Sequence, residues 1–266
     1  MQHETPARTI TVALVLSLVC SIIVSGTAVA LRARQEENRL REKQKNVLVA
    51  AGILDEARPI AEQFQARIEP KVIDLEEGWY SDASDPATFD PVAAAADPAL
   101  SDPIDPAEDI AGIKRRERRT LVYEVRSREG DALEQLVLPI RGYGLWSTLR
   151  GFLAVDARSL GGGPQAIEVT GITYYDQKET PGLGGEVDNP RWKALWIGKH
   201  IYDDDWTVRL HLTRGATGPY EVDALSGATL TSQGVSNMIR YWMGPRGFQP
   251  FLKNLSARLR EGGDHG

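Results

Sequence analysis

Between Arg8 and Arg32 the chain runs for 23 residues, 9–31, without a formal charge, and Val, Leu, Ile and Ala dominate the run. A helix rising about 1.5 Å per residue makes this stretch roughly 35 Å long, enough to cross a hydrocarbon core of about 30 Å. We read a single transmembrane helix over residues 10–31 behind a short tail, 1–9. A secretory signal competes for the same residues, since Arg8 precedes the apolar run and Ala28-Val29-Ala30 has the small-x-small form of a cleavage site. The length of the run favours a retained anchor. Charge points the following body toward the cytoplasm: Arg32, Arg34, Arg39, Arg41, Lys43 and Lys45 follow the span, whereas only Arg8 and the amino terminus precede it. Glu36, Glu37 and Glu42 count little in that rule.

The rest of the composition belongs to a folded, water-exposed body. Over 266 residues, 42% are hydrophobic and 26% charged, with a mean hydropathy of −0.31, which excludes a polytopic membrane protein and leaves a sizeable core. With 31 Lys and Arg against 37 Asp and Glu, the net charge of −6 opposes attraction to phosphate backbones, and no nucleic-acid partner is expected. Cys20 is the one cysteine, so neither an intramolecular disulfide nor a thiolate-held metal is expected. His3, His200, His211 and His265 are scattered without ligand spacing, and we expect no metal site.

Residues 32–66 read as a helical stalk: no Pro interrupts 32–51, Gly52 follows, and Leu54, Ile60 and Phe64 give 53–66 an apolar stripe. A body over 67–262 follows. Within it, 81–109 carries five Asp-Pro dipeptides, at Pro86, Pro91, Pro98, Pro103 and Pro106, and reads as an extended, solvated loop. The basic run 114–119 reads as a solvated approach to a strand. Strand patterns fall at 120–126, 133–140, 151–156, 166–175 and 206–212, and helical ones at 191–196, 229–243 and 251–260. In the second helix Val235, Met238, Ile239 and Trp242 mark one buried face. The mixed order implies an α+β body behind a single N-terminal transmembrane helix.

The segment Asp223-Ala224-Leu225-Ser226-Gly227-Ala228-Thr229 leads into that helix. One reading makes Ser226 and Thr229 helix caps, with Gly227 at the turn and no chemistry. The other concerns phosphate, since a helix start offers unpaired N–H donors and a favourable dipole, so a phosphoryl group esterified to Thr229 would be stabilised there. Gly142-Tyr143-Gly144 and Gly161-Gly162-Gly163 lack the strand–glycine–helix context of a dinucleotide fingerprint, and Ser226 lacks a nucleophile elbow.

Asp223-x-x-Ser226-Gly227-Ala228-Thr229 resembles the Asp-x-x-Ser/Thr-Gly-Ala-Thr signature of the FMN-binding domain family, whose members carry FMN by a phosphoester to the final threonine. Five constrained positions coincide by accident in on the order of one chain in a thousand. Upstream, Glu179-Thr180-Pro181-Gly182-Leu183-Gly184 resembles the family's second block. Gly144-Leu145-Trp146-Ser147, Gly151-Phe152-Leu153-Ala154, Glu186-Val187-Asp188-Asn189-Pro190-Arg191-Trp192 and Gln44-Lys45-Asn46-Val47-Leu48 are similar to the family of C subunits of the sodium-translocating NADH:quinone reductases. The paralogous G subunit of the electron-transporting Rnf complexes shares the two flavin blocks and stays open as an alternative, as does a non-redox anchored binding or scaffold module.

The resemblance implies covalent FMN on Thr229, placed there from FAD by a flavin transferase, with Asp223, Ser226, Gly227 and Ala228 shaping the attachment site. It puts Thr180, Gly182 and Leu183 near the flavin ring, where a plain Pro-Gly turn is the other reading, and Trp146 beside it, where a core aromatic is the other reading. No side chain is implied as an acid–base catalyst, because the cofactor carries the chemistry. The implied role is a redox relay within a multi-subunit bacterial inner-membrane complex, its other partners being NADH-oxidising and quinone-reducing subunits and membrane lipid. The body would lie in the periplasm, against the charge count.

Overall fold

In a computed structural model, residues 6–128, 130 and 132–263 are described. The chain divides into two units, Met1–Lys43 and Gln44–Gly266. The first is carried by helix α1 (Pro6–Ala50), 45 residues without an internal proline. Its apolar window is long enough to cross a membrane, and Ile10, Leu14, Leu18, Ile22, Val29 and others along it are exposed. The hydroxyls of Thr11 and Thr27 turn back to the carbonyls of Ala7 and Ile23 and so satisfy themselves on the helix. The apolar run and the charged segment after it are one uninterrupted helix.

In the second unit α1 ends on a paired C-terminal bond set, Gly52 N–H to Val49 C=O and Ile53 N–H to Leu48 C=O, both 3.0 Å. The expected helix over 53–66 is shorter: α2 is Ile60–Arg67. Pro59 biases Arg58 away from helix, and the Gln63 amide ties the preceding loop by exchanging bonds with the Asp55 N–H and C=O, each 2.8 Å.

Next come β1 (Ile68–Asp74), β2 (Trp79–Tyr80), α3 (Pro91–Ala96), β3 (Ser101–Pro103), β4 (Arg115–Glu117), β5 (Arg119–Arg126), β6 (Leu133–Tyr143), β7 (Thr148–Asp156), β8 (Val169–Asp176), α4 (Pro190–Ala194), β9 (His211–Thr213), β10 (Glu221–Asp223), α5 (Thr229–Trp242) and α6 (Gln249–Gly263). One antiparallel sheet has the order β2-β1-β5-β6-β7-β8. Its strands alternate between two cores. Leu121, Tyr123, Val125, Val137, Phe152 and Ala154 pack with Val47, Leu48 and Phe64. Val122, Leu136, Leu138, Leu153 and Val155 face the other way with Val235, Met238, Ile239, Trp242, Phe251 and Leu252. Burial on both faces explains why these strands read as nearly continuous apolar runs.

Four expectations change. The Asp-Pro stretch is not an extended excursion: Asp85, Asp90, Asp97 and Asp105 each accept the N–H two residues on, at 2.8–2.9 Å, with the proline between. Each of these dipeptides closes its own turn because proline presets φ while the carboxylate bonds ahead. Asp102 instead pairs with Arg118. The basic run is likewise engaged, as Arg115 bonds Ser101 and Glu117 lies buried in a two-pronged pair with Arg141. No strand starts at Trp206, whose φ is +62°; isolated bridges, Glu168 to His200 and Tyr202 to Val208, precede β9. Strand β8 starts later than expected, at Val169, because 164–166 form a short 3-10 turn.

A candidate flavin-attachment site at the start of α5

Parallel strands β9 and β10 deliver the chain to α5. Asp223 is fixed on both sides: its C=O accepts the Trp192 indole N–H at 2.8 Å and its carboxylate accepts the Ala216 N–H at 2.9 Å. Its side chain therefore braces the neighbouring loop. Beyond it, the buried Ser232 hydroxyl accepts from Leu225 N–H and donates to Ala228 C=O, at 2.9 and 3.0 Å, holding the 225–228 turn over the helix mouth.

Ala228 occupies the N-cap position and has no side-chain oxygen to cap the helix. Ser226, Gly227 and Thr229 are exposed. Neither the Ser226 nor the Thr229 hydroxyl makes a hydrogen bond among the described residues, so the capping role weighed from the sequence is not used here. Thr229 is the first residue of α5, where the N–H groups of a first turn have no intrahelical acceptor. An anion esterified to its hydroxyl would meet those donors and the positive end of the helix dipole.

The 180–185 segment forms the second wall. Thr180 C=O accepts from Leu183 N–H at 3.1 Å and Gly185 N–H at 2.9 Å. Pro181 and Gly182 hold the two central positions, with Gly182 at φ +74°, where a side chain would be strained. The turn presents Leu183, 43% exposed, toward the 225–228 turn: a Cβ added at Gly227 would lie 3.0 Å from Leu183 Cδ2.

The third wall is the tip of the β6–β7 hairpin, closed by Gly144 N–H to Ser147 C=O at 2.8 Å. Three consecutive amides of this tip aim at one carboxylate. Glu179 Oε1 accepts from Leu145 N–H (3.2 Å), Trp146 N–H (3.0 Å) and Ser147 N–H (3.2 Å), while Oε2 accepts from the Thr231 hydroxyl at 2.8 Å. Burial raises the Glu179 pKa, but the Thr231 hydroxyl and the amides of Trp146, Leu145 and Ser147 outweigh it and hold the carboxyl below the ordinary glutamate value. Space around it is tight: a Cβ at Gly144 would lie 2.7 Å from Glu179 Oε1, and one at Gly184 would lie 2.6 Å from Thr231 Oγ1.

Glu179 thus draws together the hairpin tip, the Pro-Gly turn and the first turn of α5. Each of these segments carries an exposed apolar or aromatic side chain: the Trp146 indole, 67% exposed, Leu183, and Leu230, 56% exposed. Trp146 is not a core aromatic. A free hydroxyl at a helix mouth, beside exposed apolar and aromatic side chains, suits a ligand with a phosphate at one end and a flat ring at the other, which are the two ends of FMN. Among the described residues no group of three His, Cys, Asp or Glu is placed to hold a metal. Glu179, Thr231 and Ser232 were not singled out from the sequence. Glu179 heads the Glu-Thr-Pro-Gly-Leu-Gly block, so the signal was present, but its partners are backbone amides that no side-chain motif reveals.

Residues 144–244 match the family of the FMN-binding domain. Over its length the chain is 49% identical to the C subunit of the Na(+)-translocating NADH-quinone reductase of Pseudomonas aeruginosa, covering 95% of this chain and 97% of that protein. It is 44% identical to the protein of that name from Yersinia pestis, covering 98% and 95%. A crystal structure of NqrC from Shewanella oneidensis superposes with a TM-score of 0.73 at 33% identity, covering 81% of this chain and 97% of that one.

Proposed function

The chain belongs to the NqrC family, the C subunits of the sodium-translocating NADH-quinone reductases, and from that premise we propose that it carries FMN covalently on Thr229 and relays electrons between partner subunits. As a member of this family it is a membrane-anchored flavoprotein subunit of that reductase. The reading is carried by one observation: the Thr229 hydroxyl is exposed and unpaired among the described residues, at the uncapped first position of α5. The scaffold reading needed that hydroxyl as a helix cap, a role it does not fill. Membership of the NqrC family separates the chain from the Rnf paralogue.

In the proposed maturation the flavin transferase presents FAD. The Thr229 oxygen would take the FMN phosphoryl group, its proton passing to the transferase and AMP departing as the phosphoanhydride bond opens. Once bound, FMN supplies reversible electron uptake. The chain's own residues do the rest: Thr229 moors the phosphate, the first α5 amides and the helix dipole stabilise its charge, and Leu183, Thr180, Gly182 and Trp146 border the ring. Asp223, Ser226, Gly227 and Ala228 form the loop offered to the transferase, with Asp223 keeping it in shape through its bonds to Trp192 and the Ala216 amide. The protein turns over nothing alone. It works beside NADH-oxidising and quinone-reducing subunits in a bacterial inner membrane, with α1 in the lipid and the body in the periplasm.

Intact-mass measurement of protein co-expressed with the flavin transferase tests the attachment: wild type gains one FMN and Thr229→Val gains none. Absence of covalent flavin beside an active transferase would overturn it. Protease treatment of spheroplasts tests the orientation, and a protected body would put it in the cytoplasm, as the basic flank of the span implies.

A further inference from the structure

Glu179 is 5% exposed, yet its partners are backbone amides and hydroxyls, not an ammonium or guanidinium group. A buried carboxylate is costly to desolvate, and a seam that needs only cohesion is served as well by apolar side chains. Its donors come from two places 52 or fewer residues from it in sequence but on different elements: the amides of Leu145, Trp146 and Ser147 at the hairpin tip, and the hydroxyl of Thr231, two residues past Thr229. Gly144 and Gly184 leave room for the carboxylate and for nothing larger. Both places belong to the segments to which the flavin was assigned.

We propose that Glu179 is a positioning residue for the flavin: it grips the hairpin tip through three amides and α5 through Thr231, and so fixes Trp146 against the turn that bears Thr229. It also places one negative charge behind the mooring point. The inference rests on the FMN attachment proposed above.

The test uses full-length protein co-expressed with the flavin transferase, read by covalent FMN content, flavin midpoint potential and the visible circular dichroism of the flavin. Glu179→Gln keeps the size and one acceptor oxygen and removes the charge. It retains FMN, and its midpoint potential shifts upward, because an electron is added more readily once a neighbouring negative charge is gone. Thr231→Val cuts the α5 half of the grip and changes the flavin dichroism, while Thr231→Ser keeps the hydroxyl and restores the wild-type spectrum. Unchanged potential in Glu179→Gln together with identical flavin spectra in the two Thr231 variants, all carrying FMN, would overturn the proposal. Should Glu179→Gln fail to fold, the Thr231 pair decides alone, and identical spectra and potentials in that pair overturn it. Wild-type protein without FMN is a separate failure, seen before any variant is compared, and it refutes the attachment to Thr229.

Discussion

The Thr231 hydroxyl donates to the Glu179 carboxylate at 2.8 Å across 52 residues of sequence, inside a seam where both side chains are buried. A bond from a neutral donor to a buried charge contributes about 1.5–3 kcal/mol, and losing it leaves the carboxylate one donor short. Thr231→Val is therefore expected to lower stability by roughly 1–3 kcal/mol in urea unfolding, with the slope unchanged. A loss within about 0.5 kcal/mol would place the bond among the dispensable ones.

The same carboxylate makes stability depend on pH. Its folded-state pKa is depressed, so its stabilising contribution is complete above the unfolded glutamate value, about 4.3, and is lost as pH falls through the lower folded value. Wild type should lose stability on acidification through that window more steeply than Glu179→Gln, which has no proton to take up at this position. Parallel acid-unfolding curves for the two proteins would contradict the assignment.

Gly144→Ala and Gly184→Ala push a methyl into the Glu179–Thr231 seam, at 2.7 and 2.6 Å from the nearest oxygens. Overpacking of this kind costs about 1–3 kcal/mol. Both substitutions should lower the midpoint of thermal unfolding, whereas Gly161→Ala, with open space around its added Cβ, should not.

Glu117 and Arg141 form a buried ion pair, with Glu117 side-chain exposure at 1% and Arg141 at 13%. Arg141 also lies 5.0 Å above the Trp242 ring, and its C=O accepts the Trp242 indole N–H at 2.7 Å, so the pair backs the last turn of α5. Removing one partner strands a buried charge, and Glu117→Ala should cost about 3–5 kcal/mol in denaturant unfolding. Replacing both by apolar residues of similar volume should recover much of that loss.

Thr229 and Trp146 should behave oppositely to these. Both are exposed, so Thr229→Val and Trp146→Ala should change unfolding free energy by no more than about 0.5 kcal/mol, while the first removes the hydroxyl proposed to carry FMN. Equal stability with lost flavin separates a role in chemistry from a role in folding.

The apolar span, the buried face of α5 and the four strands β5 to β8 were legible because each is written in one contiguous stretch: a long uncharged run, a helical repeat and short apolar runs between turns. Strand β1 was not, since Pro70 sits in its middle and argues against a strand. It is tolerated because β2 reaches only Ile73 and Asp74, leaving the other edge of β1 open at Pro70. The segment 223–229 stood out as a motif, and the turn at 180–183 was legible as Pro-Gly chemistry. Glu179 was not, because its role arises from the convergence of amides separated from it by more than thirty residues. The basic run 114–119 misled for a related reason: Glu117 finds its cation on β6, and nothing nearby in sequence announces Arg141.

Four of the five aspartate–proline pairs are self-closing links, each satisfied by a carboxylate and an amide two positions apart. Adding or deleting one of these links changes the length of the segment between β2 and β4 without shifting the register of any strand in the six-stranded sheet. Divergence in size between relatives is therefore expected to accumulate here first, while the seam beneath Trp146 admits not even a methyl.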